Sequence, residues 1–158
     1  MSQLDLLELA DCALLKGLNH KDIEQLATVF TLKTISEGKT IFIENMPGES
    51  LYLIKQGTVR ISRMLAEGDE QILVVLSAGD VFGELAIIDN GTRASTARIA
   101  EDATLFNLAT KDFNQLAAKN PQLGLQLLQN VIRIFTARMR DAKKDYRTML
   151  TTILGRNK

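Results

Sequence analysis

Apolar positions along this chain change their period twice. From Leu4 to Phe30 the texture is helical: Leu4, Leu7, Leu14, Leu15 and Leu18 recur at near-helical spacing, with Gly17 breaking the run. Asn19, with Asp22 three residues on, makes a cap for a second short helix carrying Ile23, Leu26 and Ala27. From Thr28 to Leu108 the texture turns to short apolar or alternating runs: Thr40 to Ile43, Leu51 to Ile54, Thr58 to Ile61, Gln71 to Leu76 and Ala103 to Leu108. Turn residues separate them at Glu37-Gly38, Pro47-Gly48, Gln56-Gly57, Glu67-Gly68-Asp69 and Ala78-Gly79-Asp80. Short strands with turn signals at this density predict an all-β sandwich, barrel or roll. Helical texture returns from Lys111 and is interrupted at Asn120-Pro121. Beyond Pro121, Leu128, Val131, Phe135, Ala142, Tyr146, Met149 and Ile153 keep a mostly three-four spacing, flanked by Arg133, Arg140, Lys143, Lys144 and Arg147. The pattern predicts an α+β chain: N-terminal helices over 1–30, a β segment over 31–110 and C-terminal helices over 111–158.

Composition narrows the class. A chain of 158 residues, 46% hydrophobic, holds one ordinary core. No apolar run reaches membrane-span length, and the acidic, amphipathic start MSQLDLLELAD lacks the basic flank and uniform apolar core of a signal peptide. Cys12 is the only cysteine, so no internal disulfide forms and a reducing cytoplasm is expected; in its apolar stretch it reads as a buried structural thiol. Net charge is zero, but from Asn130 to Lys158 eight Lys or Arg stand against two Asp. Such a tail suits nucleic acid, anionic lipid or an acidic partner, or is the solvated face of an amphipathic helix. His20 is the sole histidine, so neither a two-histidine nor a three-histidine metal site can be assembled, and no serine has a histidine in a nucleophile elbow. No catalytic and no metal-ligating residues are expected.

The chemistry concentrates in FGELAIIDNGTRASTA, Phe82 to Ala97. Arg93 is the only cation between Arg63 and Arg98, and its neighbours Thr92, Ala94 and Ser95 are small. Small neighbours leave backbone amides accessible, so a guanidinium and several N–H groups can converge on one anion. Arginine's planar fork matches phosphate oxygens two at a time. An ionised Glu84 only accepts, which suits a ligand's hydroxyls rather than its phosphate. Together they read as a site for a sugar phosphate.

This segment resembles the phosphate-binding cassette of the cyclic-nucleotide-binding domain family, found in bacterial catabolite activators, kinase regulatory subunits and gated ion channels. Phe82, Gly83, Glu84, Leu85 and Ala86 match the first half of the pattern, F-G-E-[LI]-A. Arg93, Ala94, Ser95 and Thr96 match the second, R-[AST]-[AS]-T, at the glutamate-to-arginine spacing of the kinase subunits. Thr92 stands where those subunits often have proline. The glycines at 38, 48, 57 and 79 also fall at the family's turns, so the resemblance extends over roughly 12–140.

The resemblance implies an antiparallel, jelly-roll-like β-roll carrying the cassette at 82–97, between N-terminal helices and a long C-terminal helix. Ile61, Leu73 and Leu76 would line the wall that meets base and ribose, unless they are ordinary core. A short helix would start near Glu84, its N-terminal amides beside the phosphate, with Gly83 allowing close backbone approach. Ala94, where cGMP-preferring members often carry threonine, favours cAMP over cGMP as ligand, with no cofactor. Counting from the Asn-Pro turn puts Arg138 and Met139 where relatives cap the purine, so Arg138 is a candidate to stack on the base. The C-terminal helix would pair with a second copy, as in the catabolite activators, or fold back on its own roll. Only Thr148 to Lys158 comes after it, too short for a helix-turn-helix. The chain is therefore expected to be a cytoplasmic, non-enzymatic receptor that signals through a protein effector rather than by direct DNA binding. A dimerisation scaffold with a non-binding pocket, or a fragment of a nucleotide-dependent transcription regulator, are the alternatives.

Overall fold

The computed structural model describes residues 3–155; Met1 and Ser2, and the end of the basic tail from Arg156 to Lys158, lie outside the described residues. Two short helices come first, α1 (Gln3–Leu7) and α2 (His20–Ala27), with a 3-10 turn at Ala13–Leu15 between them. The first helical run is shorter than its leucine spacing predicts. After Leu7 the chain winds through Leu9→Leu6, Ala10→Leu7 and Cys12→Leu9 amide-to-carbonyl bonds. These tight turns bring Leu6, Leu14 and Leu15 to one buried surface, which a single straight helix would not do. The Asn19 cap of α2 forms as expected: its side chain accepts from the Asp22 amide at 2.9 Å, and the Asp22 carboxylate accepts from the Asn19 amide at 3.3 Å.

Six strands make one antiparallel sheet: β1 (Thr31–Ile35), β2 (Thr40–Phe42), β3 (Ser50–Met64), β4 (Glu70–Leu76), β5 (Val81–Phe82) and β6 (Thr96–Ala109). The path runs β1-β6-β3-β4, with β2 on β6 and β5 on β3. The runs Leu51 to Ile54 and Thr58 to Ile61 are therefore one strand, not two. Gly57 between them has φ +90°, and a Cβ there would lie 2.3 Å from the Asp102 carbonyl oxygen. It bulges β3 against β6 where the register slips between Ile54 and Val59, bending the strand instead of reversing it.

The two faces of the sheet serve two cores. Leu51 and Leu53 with Phe106 and Leu108 pack under the helices. Ile54, Val59 and Ile61 with Ala103 and Leu105 fill the roll. Alternate residues of the same two strands thus face opposite sides. The sheet closes onto helix α4 (Thr110–Lys119) and then helix α5 (Pro121–Gly155), 35 residues long. A further single-turn helix, α3 (Ala86–Asp89), lies between β5 and β6.

Helix α5 has two unlike parts. Leu123, Leu127, Asn130 and Val131 are buried. Asn130 donates to the carbonyls of Leu14 and Lys16, both at 2.8 Å, and accepts from Gln126 and Arg133. A buried amide with all these partners clamps the helix to the N-terminal segment. Beyond it the stripe expected from sequence divides. Leu128 packs on the core and Val131 enters it, Phe135 and Ala142 line a cavity, and Tyr146, Met149 and Ile153 are exposed. The exposed apolar side chains Leu125, Ile132, Met139, Tyr146 and Ile153 recur every seven residues. Among the described residues, no helix is long and apolar enough to cross a membrane.

Candidate functional site

Between the roll and α5 lies a cavity of about 610 Å3. All twelve sequence-derived candidates line it: Ile61 from β3, Leu73 and Leu76 from β4, Phe82 from β5, Gly83, Glu84, Leu85 and Ala86 from the turn into α3, Arg93, Ala94 and Ser95 ahead of β6, and Arg138 from α5. Ile61 and Leu76 are buried, whereas Leu73 is half-exposed on the rim.

Arg93 is 7% exposed, and backbone contacts fix its place. Its amide donates to the Met46 carbonyl at 2.7 Å, and its own carbonyl accepts from the Asn45 amide at 2.8 Å. Upstream, Asn90 in the left-handed region ends α3, and the Gly91 amide donates to the Asp89 side chain at 2.8 Å. The guanidinium lies 4.0 Å above the Phe42 ring centroid, and Nη1 donates to the Gly83 carbonyl at 3.2 Å. Its Nε is buried without a partner among the described residues. Burial pushes this guanidinium below the usual arginine range, with the Tyr52 phenol, Glu49 and Glu84 acting the other way. A buried cation so sparsely bonded is poised to accept an anion.

Beneath Arg93 is an aromatic floor. Tyr52 and Phe82 stack with centroids 5.0 Å apart, and Phe42 tilts against both at 6.1 and 6.0 Å. Gly83 is required twice over. Its φ is +68°, and a Cβ there would lie 2.6 Å from Arg93 Nη1. The short helix starts at Ala86 rather than near Glu84, and the Ala86 amide turns back to the Gly83 carbonyl at 3.3 Å. Leu85, just ahead of that helix, already has right-handed helical backbone angles, so the turn itself begins beside Glu84.

Glu84 is 8% exposed and does not pair with Arg93. Its Oε1 instead accepts from Arg138 Nη1 at 3.0 Å, and Arg138 Nη2 donates to the Val81 carbonyl. Arg138 lines the cavity with its N–H groups engaged by Glu84 of the cassette and by Val81 of β5. Sequence reasoning missed Phe42, Gln71, Ile72, Val74, Phe135, Asp141, Ala142 and Asp145, which also line the cavity.

The sequence model of the family described as "Cyclic nucleotide-binding domain" matches residues 32–120. The chain belongs to that family. This cyclic-nucleotide-binding domain is 30% identical over 129 residues to the Cyclic AMP receptor protein of Thermus thermophilus, covering 82% of this chain and 58% of that protein. Among solved structures it is similar to the Thermus thermophilus Catabolite Activator Protein, with TM-score 0.76, 28% identity, and 87% and 62% of the two chains covered. It is also similar to the regulatory domain of Toxoplasma gondii PKA in a co-crystal with cAMP, with TM-score 0.66, 28% identity, and 72% and 44% covered. The chain thus spans roughly three fifths of its bacterial relatives' length, 58% and 62%.

Proposed function

We propose that the chain is a non-enzymatic cytoplasmic receptor for a cyclic mononucleotide, with cAMP as its ligand, that signals through a protein effector. The observation that carries this reading is Arg93: a buried guanidinium with an unpartnered Nε, set in the cavity that Glu84 also lines. The cyclic phosphate goes to Arg93, a ribose hydroxyl to Glu84, and the purine along Ile61, Leu73 and Leu76. Ala94 gives a guanine amino group no hydroxyl, which favours adenine. Calorimetry and thermal shift with cAMP and cGMP test the reading. A rise in Tm that grows with cAMP concentration, and with cGMP only at higher concentration, is expected. No heat and no shift with either nucleotide at millimolar concentration would sink it.

The receptor acts as a homodimer in this reading. Residues Leu125, Ile132, Met139, Tyr146 and Ile153 form a row with the seven-residue period of a two-helix seam. Sedimentation at about 50 micromolar should give twice the 17.5 kDa chain mass, and Tyr146→Asp with Ile153→Asp should halve it. A monomeric mass for the unsubstituted chain removes the dimer from the proposal.

A further inference from the structure

The buried guanidinium of Arg93 has no counter-ion. Among the described residues no carboxylate pairs with it, and Glu84 is bonded to Arg138 instead. What faces the charge is a ring: the Phe42 centroid lies 4.0 Å from Cζ, and the Tyr52 centroid is next at 6.0 Å. Phe42 reaches that place through a bulge. Strand β2 advances two residues, Thr40 to Phe42, while β6 advances one, Arg98 to Ala97. Ile41 and Phe42 therefore both pack into the roll, where strict alternation would send one of them out. The buried ring is then braced by its tilted contacts with Tyr52 and Phe82.

A buried cation needs compensation, and the kind of compensation decides what it can do next. A carboxylate partner would cancel the charge and occupy the N–H groups that a phosphate needs, so a ligand would have to displace it. A ring face attracts the charge more weakly and has no lone pair to take an N–H away. We propose that Phe42 is a positioning residue for the anion site: its ring stands in for a counter-ion, holding Arg93 in the core while leaving its charge for the ligand's phosphate. The phosphate half rests on the reading of the cavity as a cyclic-nucleotide site. The hold on Arg93 stands on geometry alone.

The test places phenylalanine analogues carrying successively more ring fluorines at position 42 of the full chain, beside Phe42→Leu. Fluorine drains the negative face of the ring at nearly constant shape. Affinity for cAMP should fall step by step along the series, and by about three- to thirtyfold in Phe42→Leu, the size of one cation–π contact. A packing role would leave the fluorinated chains at the original affinity and move only Phe42→Leu. That flat series, or an affinity that rises with fluorine, overturns the phosphate half. Nitrogen NMR of the ligand-free protein reads the hold, with the Arg93 guanidinium signal assigned by its loss in Arg93→Lys. Rotation about the Nε–Cζ bond, slowed by the ring, should quicken along the fluorine series and most in Phe42→Leu. Unchanged rotation throughout overturns the hold. If the unsubstituted chain binds neither cAMP nor cGMP, the receptor reading and the phosphate half fail together, and guanidinium rotation alone decides the hold.

Discussion

Arg93→Ala is expected to abolish nucleotide binding in practice while leaving the ligand-free protein as stable as before. Truncating one partner of a buried charge-assisted pair costs on the order of 2–5 kcal/mol, a loss of roughly thirtyfold to a few thousandfold in affinity. The free protein has less to lose. In it Arg93 is a buried cation with a 3.2 Å bond to the Gly83 carbonyl and an unpartnered Nε, and that carbonyl also accepts from the Ala86 amide. Removing the guanidinium relieves the cost of burying a charge, so an unliganded Tm equal to or above the original is expected. Arg93→Met, which keeps an apolar stem over Phe42, should show the same split more cleanly. Arg93→Lys keeps the charge but loses the fork, and should still bind about tenfold or more weakly. Thermal melts with and without cAMP check both halves. An Arg93→Ala protein that melts early without ligand yet retains its ligand shift would mean the residue is structural.

Gly83→Ala attacks the same guanidinium without touching its charge. Alanine in the left-handed region costs about 1–2 kcal/mol, a fall of roughly 2–8 °C in Tm for a chain of this size. The added methyl also stands 2.6 Å from Arg93 Nη1 and 3.1 Å from the Ser50 carbonyl oxygen. The flexible side chain gives way more easily than the strand, so the guanidinium swings off its bond to Gly83. Affinity for cAMP should fall about ten- to a hundredfold, the cost of one misplaced charge-assisted bond. Calorimetry at a temperature where the variant is fully folded separates this from the stability loss. Unchanged affinity would show that the position of Arg93 matters less than its charge.

The two substitutions probe the part of the molecule most visible in the sequence, and the reason is local. The cassette's residues lie within one run of sixteen, Phe82 to Ala97, so composition and spacing alone bring Glu84 and Arg93 to one place. Phe42 shows the opposite case. It sits under the Arg93 guanidinium from 51 positions away, and its run Thr40 to Ile43 is apolar on both parities, so alternation could not say which way it faced. Asp141 and Asp145 were hidden by their basic neighbours, since one helix face can only be told from another once the packing is known. The joining of two expected strands into β3 has the same origin. Gln56-Gly57 is turn chemistry by composition, and the register with β6 makes it a bulge.

The clamp at Asn130 also sets the mechanics of the helix beyond it. From that fixed point α5 continues to Gly155, about 37 Å at 1.5 Å per residue. Arg138 grips the rod roughly 12 Å from the pivot, about a third of the way along. A displacement of one ångström at the grip would become about three at Gly155 if the helix stays straight. In the receptor proposed above, the pocket works on the short arm of a lever, and an effector that meets the far end feels the larger stroke.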